Sequence, residues 1–152
     1  MKKVFLSTSF SGQVDAATGR VLPEFRVGVE KVLGALRKEV EVFCAIEQEG
    51  WLLANDVPPE VGVQEDLAQI DASDVLLALV EEKPSAGVQF ELGYAVAKGK
   101  RVILAARHGS ELAYFNKGVV SAGLVTLVLY DDAASLVKHF IVALHAPEGP
   151  AA

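Results

Sequence analysis

Short apolar runs alternate with amphipathic stretches along this chain, and that alternation restricts the fold more than any other feature. The segment Asp74–Val80 is nearly all apolar, the pattern of a strand covered on both faces, as in parallel sheets flanked by helices. Val4–Ser9, Glu41–Ile46, Arg101–Ala106 and Leu124–Tyr130 read as further strands. Between them, Leu22–Glu39 places Phe25, Val29, Val32, Leu33 and Leu36 on one helical face. Pro59–Ile70 is a helix opened by prolines. A third helix runs from Ser85 to a glycine cap at Lys98-Gly99. Glu111–Lys117 reads as a short helix and Ser135–Leu144 as the closing one.

Strand and helix taken in turn predict a doubly wound α/β fold. The expected form is a flavodoxin-like, five-stranded parallel sheet with helices on both faces. The pattern makes residues 1–146 one domain and 147–152 a loose Pro/Gly/Ala tail.

Charge and composition narrow the function. A net charge of −6 and an isoelectric point near 5.0 argue against nucleic-acid polymers, which need a basic stripe to neutralise phosphates. A single nucleotide needs only a local nest of donors. Cys44 is the lone cysteine, so no internal disulfide forms and a reducing cytoplasm fits. It reads as a small buried hydrophobe rather than a nucleophile. The apolar start Val4-Phe5-Leu6 breaks at Ser7-Thr8-Ser9, too early for a signal peptide. No stretch has the length of a membrane span. His108, His139 and His145 lack ligand-like spacing, so no metal or other cofactor is expected.

Ligands of such sheets sit outside the carboxyl ends of the strands. Three segments converge there: Ser7–Gly12, the region Cys44–Trp51, and Glu81–Gly87. Ser7, Ser9 and Gly12 supply hydroxyls and a flexible glycine. Ser85-Ala86-Gly87 opens a helix, where Ser85 is either an N-cap or an anion contact. Neither loop is a dinucleotide fingerprint or a Walker loop. Trp51 is either a packed aromatic or a stacking surface for a base.

Glu91 carries the chemistry. One helical turn away lie Gly87, Val88, Tyr94 and Ala95, none of them a basic partner. A carboxylate so placed is neutralised, paired from elsewhere, or kept for reaction. Gly87 and Ala95 leave room for a ligand on that face. Asp66 borders the apolar stripe of Val63, Leu67 and Ile70, with Glu65 pointing outward. Two such carboxylates at one sheet edge suit glycosidic chemistry.

These residues resemble the nucleoside 2-deoxyribosyltransferases and the related 2′-deoxynucleoside 5′-phosphate N-hydrolases. The resemblance rests on Asp66-Leu67, Asp74-Val75-Leu76-Leu77-Ala78 and Pro84-Ser85-Ala86-Gly87-Val88. It continues through Phe90-Glu91-Leu92-Gly93-Tyr94-Ala95 and Ala97-Lys98-Gly99-Lys100-Arg101-Val102-Ile103. It implies that Glu91 is the nucleophile at C1′, that Asp66 is the acid assisting the base, and that Ser85 contacts a 5′-phosphate. It also places Ser9 and Gly12 in the loop lining the sugar and phosphate. The family's first-strand tyrosine is Phe5 here, and the hydrolase branch's first-loop arginine is Ser11, with Arg20 and Arg26 following nearby. A homodimer completing the site through 111–117 is implied as well.

Three functions follow as expectations. The first is hydrolysis of (2′-deoxy)nucleoside 5′-monophosphates through a Glu91 glycosyl-enzyme. The second is base exchange through the same adduct. The third is a nucleotide-binding domain without turnover.

Overall fold

The computed structural model describes residues 1–9, 12–52, 57–80 and 85–147. Five strands form one sheet: β1 (Lys3–Thr8), β2 (Glu41–Cys44), β3 (Val75–Leu79), β4 (Arg101–Arg107) and β5 (Thr126–Tyr130). All pair in parallel, in the order β2-β1-β3-β4-β5. The helices are α1 (Pro23–Leu36), α2 (Ala45–Gln48), α3 (Pro59–Asp71), α4 (Ala86–Ala97), α5 (Tyr114–Ser121) and α6 (Ala133–His145). This is the doubly wound α/β architecture expected above. Its strand order reverses at β1, between β2 and β3, where such sheets open a crevice.

Successive strand residues point to opposite faces, and the two cores divide accordingly. Val4, Leu6, Val75, Leu77, Ile103 and Ala105 pack under α1 and α6 with Val29, Leu33, Leu136 and Phe140. Phe5, Leu76, Ala78, Val102 and Leu104 pack on the other face with Ile70 of α3 and Val88, Leu92 and Ala95 of α4. Each fully buried aliphatic side chain stabilises the fold by about 1.5–3 kcal/mol. Ser7 therefore belongs to the α4 face and Thr8 to the α1–α6 face.

Helix ends follow local chemistry. Pro23 and Pro59 take the first turns of α1 and α3, where a missing N–H costs nothing. Ser85 caps α4 by accepting the Val88 N–H at 3.3 Å. Gly99 (φ +66°) ends that helix as expected: Lys100 N donates to Ala95 O at 2.9 Å and Gly99 N to Val96 O at 3.0 Å, a Schellman arrangement.

Two elements differ from the reading of the sequence. The strand expected over Glu41–Ile46 stops at Cys44, because α2 starts at Ala45. A four-residue helix is too short to show a helical period. The helix expected at 111–117 starts at Tyr114 and runs to Ser121. β4 extends to Arg107, and a turn at Gly109 (φ +79°) delays the helix. The tail expected at 147–152 lies, except for Pro147, outside the described residues, as do Ser11 and 81–84. No helix among the described residues is long and apolar enough to cross a membrane.

Candidate active site

Ser7 and Glu91 meet at the carboxyl end of β1. Ser7 lies beside Ala78 of β3 in the parallel register, so two small side chains stand together beneath α4. The Ser7 hydroxyl donates to Glu91 Oε2, and Ser7 is itself only 2% exposed. A cavity of about 20 Å³ backs the pair, walled by Phe5, Leu6, Thr8, Cys44, Ala45 and Ile46. That is room for about one water molecule.

Burial pushes the Glu91 carboxyl up to about 7, and the nearby Asp66 charge adds to this. The Ser7 hydrogen bond works the other way, favouring the anion it contacts. Asp66 is pushed up to about 6, first by burial, then by Glu49 and Glu65. Glu49, which follows α2, sends Oε1 toward α3, 4.0 Å from where a Cβ of Gly62 would stand. Gly62 and Asp66 share one helix face at i, i+4. Glu65 is exposed as expected, but so is Val63 of the expected apolar stripe, and Ile70 is the buried residue of α3. The Asp66 charge is the smallest of the three influences on Glu91, and Glu91 carries the higher of the two values, so between them Glu91 keeps its proton while Asp66 is ionised. The Ser7 bond favours the Glu91 anion, and Glu49 and Glu65 favour a protonated Asp66, each narrowing the gap between the two values without reversing it.

The neighbours of Glu91 on α4 leave it without a cation. Tyr94 turns away, its hydroxyl donating to Asp71 Oδ2 at 2.9 Å, and Lys98 joins the same carboxylate at 3.3 Å. Ser85 and Gly87 lie together at the start of α4, a Gly87 Cβ standing 3.9 Å from Ser85 Oγ. Ser9 is half-buried just past β1, and Gly12 is exposed. Neither wall of the Glu91 cavity includes them. Cys44, Ala45 and Ile46 were legible only as a converging segment. The Cys44 thiol is pushed to about 11 by burial, so it stays protonated and inert at neutral pH.

Asn116 escaped the reading of the sequence. It is 0% exposed, and neither amide atom has a partner among the described residues. A polar residue inside a short helix carries no signal of burial. A cavity of about 530 Å³ lies on the opposite face between α1 and α6, with Thr8, Lys31, Leu79, Arg107 and Tyr130 in its wall. It contains neither Glu91 nor Asp66. Among the described residues no group of three or more His, Cys, Asp or Glu could hold a metal ion.

The family description "Nucleoside 2-deoxyribosyltransferase" matches residues 39–127, more than half of the chain. The protein belongs to the nucleoside 2-deoxyribosyltransferase family, whose enzymes work on N-glycosyl bonds of nucleosides or nucleotides. Solved structures agree on the fold. The solution structure of BlsM superposes with a TM-score of 0.72 at 24% identity, covering 98% of both chains. The Clostridium botulinum CMP N-glycosidase BcmB gives 0.66 at 22%, covering 93% of this chain and 99% of its own. The 2-deoxyribosyltransferase of Bacillus psychrosaccharolyticus gives 0.62 at 18%, covering 99% of each. No curated protein matched this chain by sequence.

Proposed function

We propose that this protein hydrolyses the N-glycosidic bond of (2′-deoxy)nucleoside 5′-monophosphates, with Glu91 as nucleophile and Asp66 as acid. The observation that carries this reading is the hydroxyl of Ser7 bonded to a part-buried Glu91 that has no cation partner among the described residues and shares its field with Asp66. The ionised Glu91 carboxylate attacks C1′ as the C1′–N bond breaks. The bond's electron pair leaves with the base, and Asp66 supplies the base with a proton. Water then attacks C1′, giving its proton to the Asp66 carboxylate, and Glu91 departs as the leaving group.

Ser85 and Gly87 at the start of α4 are the proposed phosphate contacts, where helix amides favour an anion. Ser9 and Gly12 are assigned to the sugar side of the first loop. A second copy of the chain is proposed to complete the site. Tyr114 and Phe115 support this: they stand 84% and 76% exposed as an edge-to-face pair at the start of α5, and apolar surface of that kind marks a covered face.

Chromatography for free base tests the reading, using nucleosides and 5′-monophosphates, ribo and deoxy, with and without an acceptor base. Hydrolysis predicts base plus sugar phosphate from the monophosphates and none from Glu91→Ala. A new nucleoside formed only with acceptor base would make the protein a transferase. Binding without any product would make it a nucleotide-binding domain.

A further inference from the structure

We infer that the cavity of about 530 Å³ between α1 and α6 is a second ligand site, built for a small apolar molecule carrying one carboxylate. It lies across the sheet from Glu91, and the reaction proposed there plays no part in the argument. Small-molecule sites occupy roughly 300–1,000 Å³, and this cavity is within that range. The last residues of four strands wall it: Thr8 of β1, Leu79 of β3, Arg107 of β4 and Tyr130 of β5. That is the carboxyl edge of the sheet, where doubly wound folds hold their ligands. Ser7 and Ala78 serve the Glu91 face of this edge. Thr8 and Leu79, the next pair in the register, serve the other face.

The apolar part of the wall is fixed by the core. Val29, Val32, Leu79 and Leu136 are buried, and Phe25 packs against them. The polar part is small and aimed by Arg107. Its guanidinium lies over the Tyr130 ring at 5.3 Å, and Nη1 donates to Asp131 O at 2.9 Å. These contacts orient the group. Nε and Nη2 have no partner among the described residues, and together they form the fork that takes a carboxylate by two parallel bonds. Two of the acids in the wall are already engaged: Asp131 Oδ1 meets His108 Nδ1 at 3.0 Å, and Asp132 Oδ1 accepts from Ser135 N at 2.8 Å. With Glu24 they set three carboxylates against Lys31 and Arg107. A dianion would meet twice the repulsion that a single carboxylate meets there.

Gly28 stands in the α1 side of the wall. A glycine inside a helix costs about 1 kcal/mol against alanine, and no neighbour demands one here, since a Cβ at Gly28 would meet nothing within 4 Å. A larger side chain at this position therefore takes up cavity space without displacing another group. Gly34 lies on the same helix, equally open, but outside the wall.

Methyl NMR of the full chain tests the site, with 3-phenylpropionate as probe and 3-phenylpropionamide as its neutral counterpart. The acid is expected to shift the methyl signals of Val29, Val32, Leu79 and Leu136 saturably, and to bind tenfold or more tighter than the amide. Arg107→Gln should bring the acid down to the affinity of the amide and leave the amide unchanged. Gly28→Leu should abolish binding of both, whereas Gly34→Leu leaves it intact. The same spectra report whether each variant is folded. Glu91→Ala is expected to keep this binding, so a failure of base release counts against the hydrolase reading alone. No saturable shift of these methyls, equal affinity of acid and amide for the parent, or undiminished binding in a folded Gly28→Leu overturns the site.

Discussion

Ser7 donates its hydroxyl hydrogen to Glu91 across the seam between β1 and α4, and this bond opposes the burial that lifts the same carboxyl to about 7. A nucleophilic carboxylate must be ionised, so the bond favours the reactive form. Ser7→Ala is expected to move the acidic limb of the kcat/KM profile to higher pH. A hydrogen bond to a charged group contributes about 1.5–3 kcal/mol, so the rate at pH 7 should fall roughly tenfold to a hundredfold. An unchanged profile would mean that Ser7 only fills space.

Glu91 should cost the fold stability that its chemistry requires. Its folded carboxyl titrates near 7 against an ordinary 4.5, so the folded state prefers the neutral form. Stability is highest below the unfolded value and is lost as pH rises from about 4.5 through 7, by roughly 3 kcal/mol in all. Glu91→Gln removes the charge and keeps an acceptor for Ser7. Thermal unfolding at pH 8 should show the variant more stable than the parent, with the gap closing toward pH 5, while turnover is lost. A variant less stable at pH 8 would contradict the burial argument.

Asp66 supplies the proton in the proposed reaction, and its carboxyl is held at about 6 by burial, Glu49 and Glu65. General acid catalysis contributes roughly a hundredfold to ten-thousandfold. Asp66→Asn should lower kcat by about that much and remove the alkaline limb of the pH profile. The deficit should shrink with a base that departs without protonation. An equal deficit on every leaving group would assign Asp66 to binding.

Asn116 lies wholly buried in α5 with both amide atoms unpaired among the described residues. An unsatisfied buried polar group costs about 1–3 kcal/mol. Asn116→Leu, close in shape, should therefore raise the melting temperature by a few degrees. A fall would show that the amide meets a water or a second chain.

The strands were legible because both faces of a parallel sheet are covered, which forces unbroken apolar runs such as Asp74–Val80. The long helices announced themselves by period and by Pro23, Pro59 and Gly99. α2 and the start of α5 did not, since a single turn has no period and a turn at Gly109 takes its place from the tertiary path. Family membership was readable from Asp66 and the Ser85–Ala95 segment, as the match over 39–127 shows.

The amino-acid sequence by itself determined the layers, the periods and a lone carboxylate on an apolar helix. Which groups face that carboxylate was decided only by the parallel register of β1 with β3, which sets Ser7 beside Ala78 and under Glu91. The same is true of Glu49 over Gly62 and of Arg26 over Trp51. These pairs are far apart along the chain or belong to different elements, and local propensity carries no term for such contacts. The burial that lifts the Glu91 and Asp66 carboxyls exists only once the layers have closed.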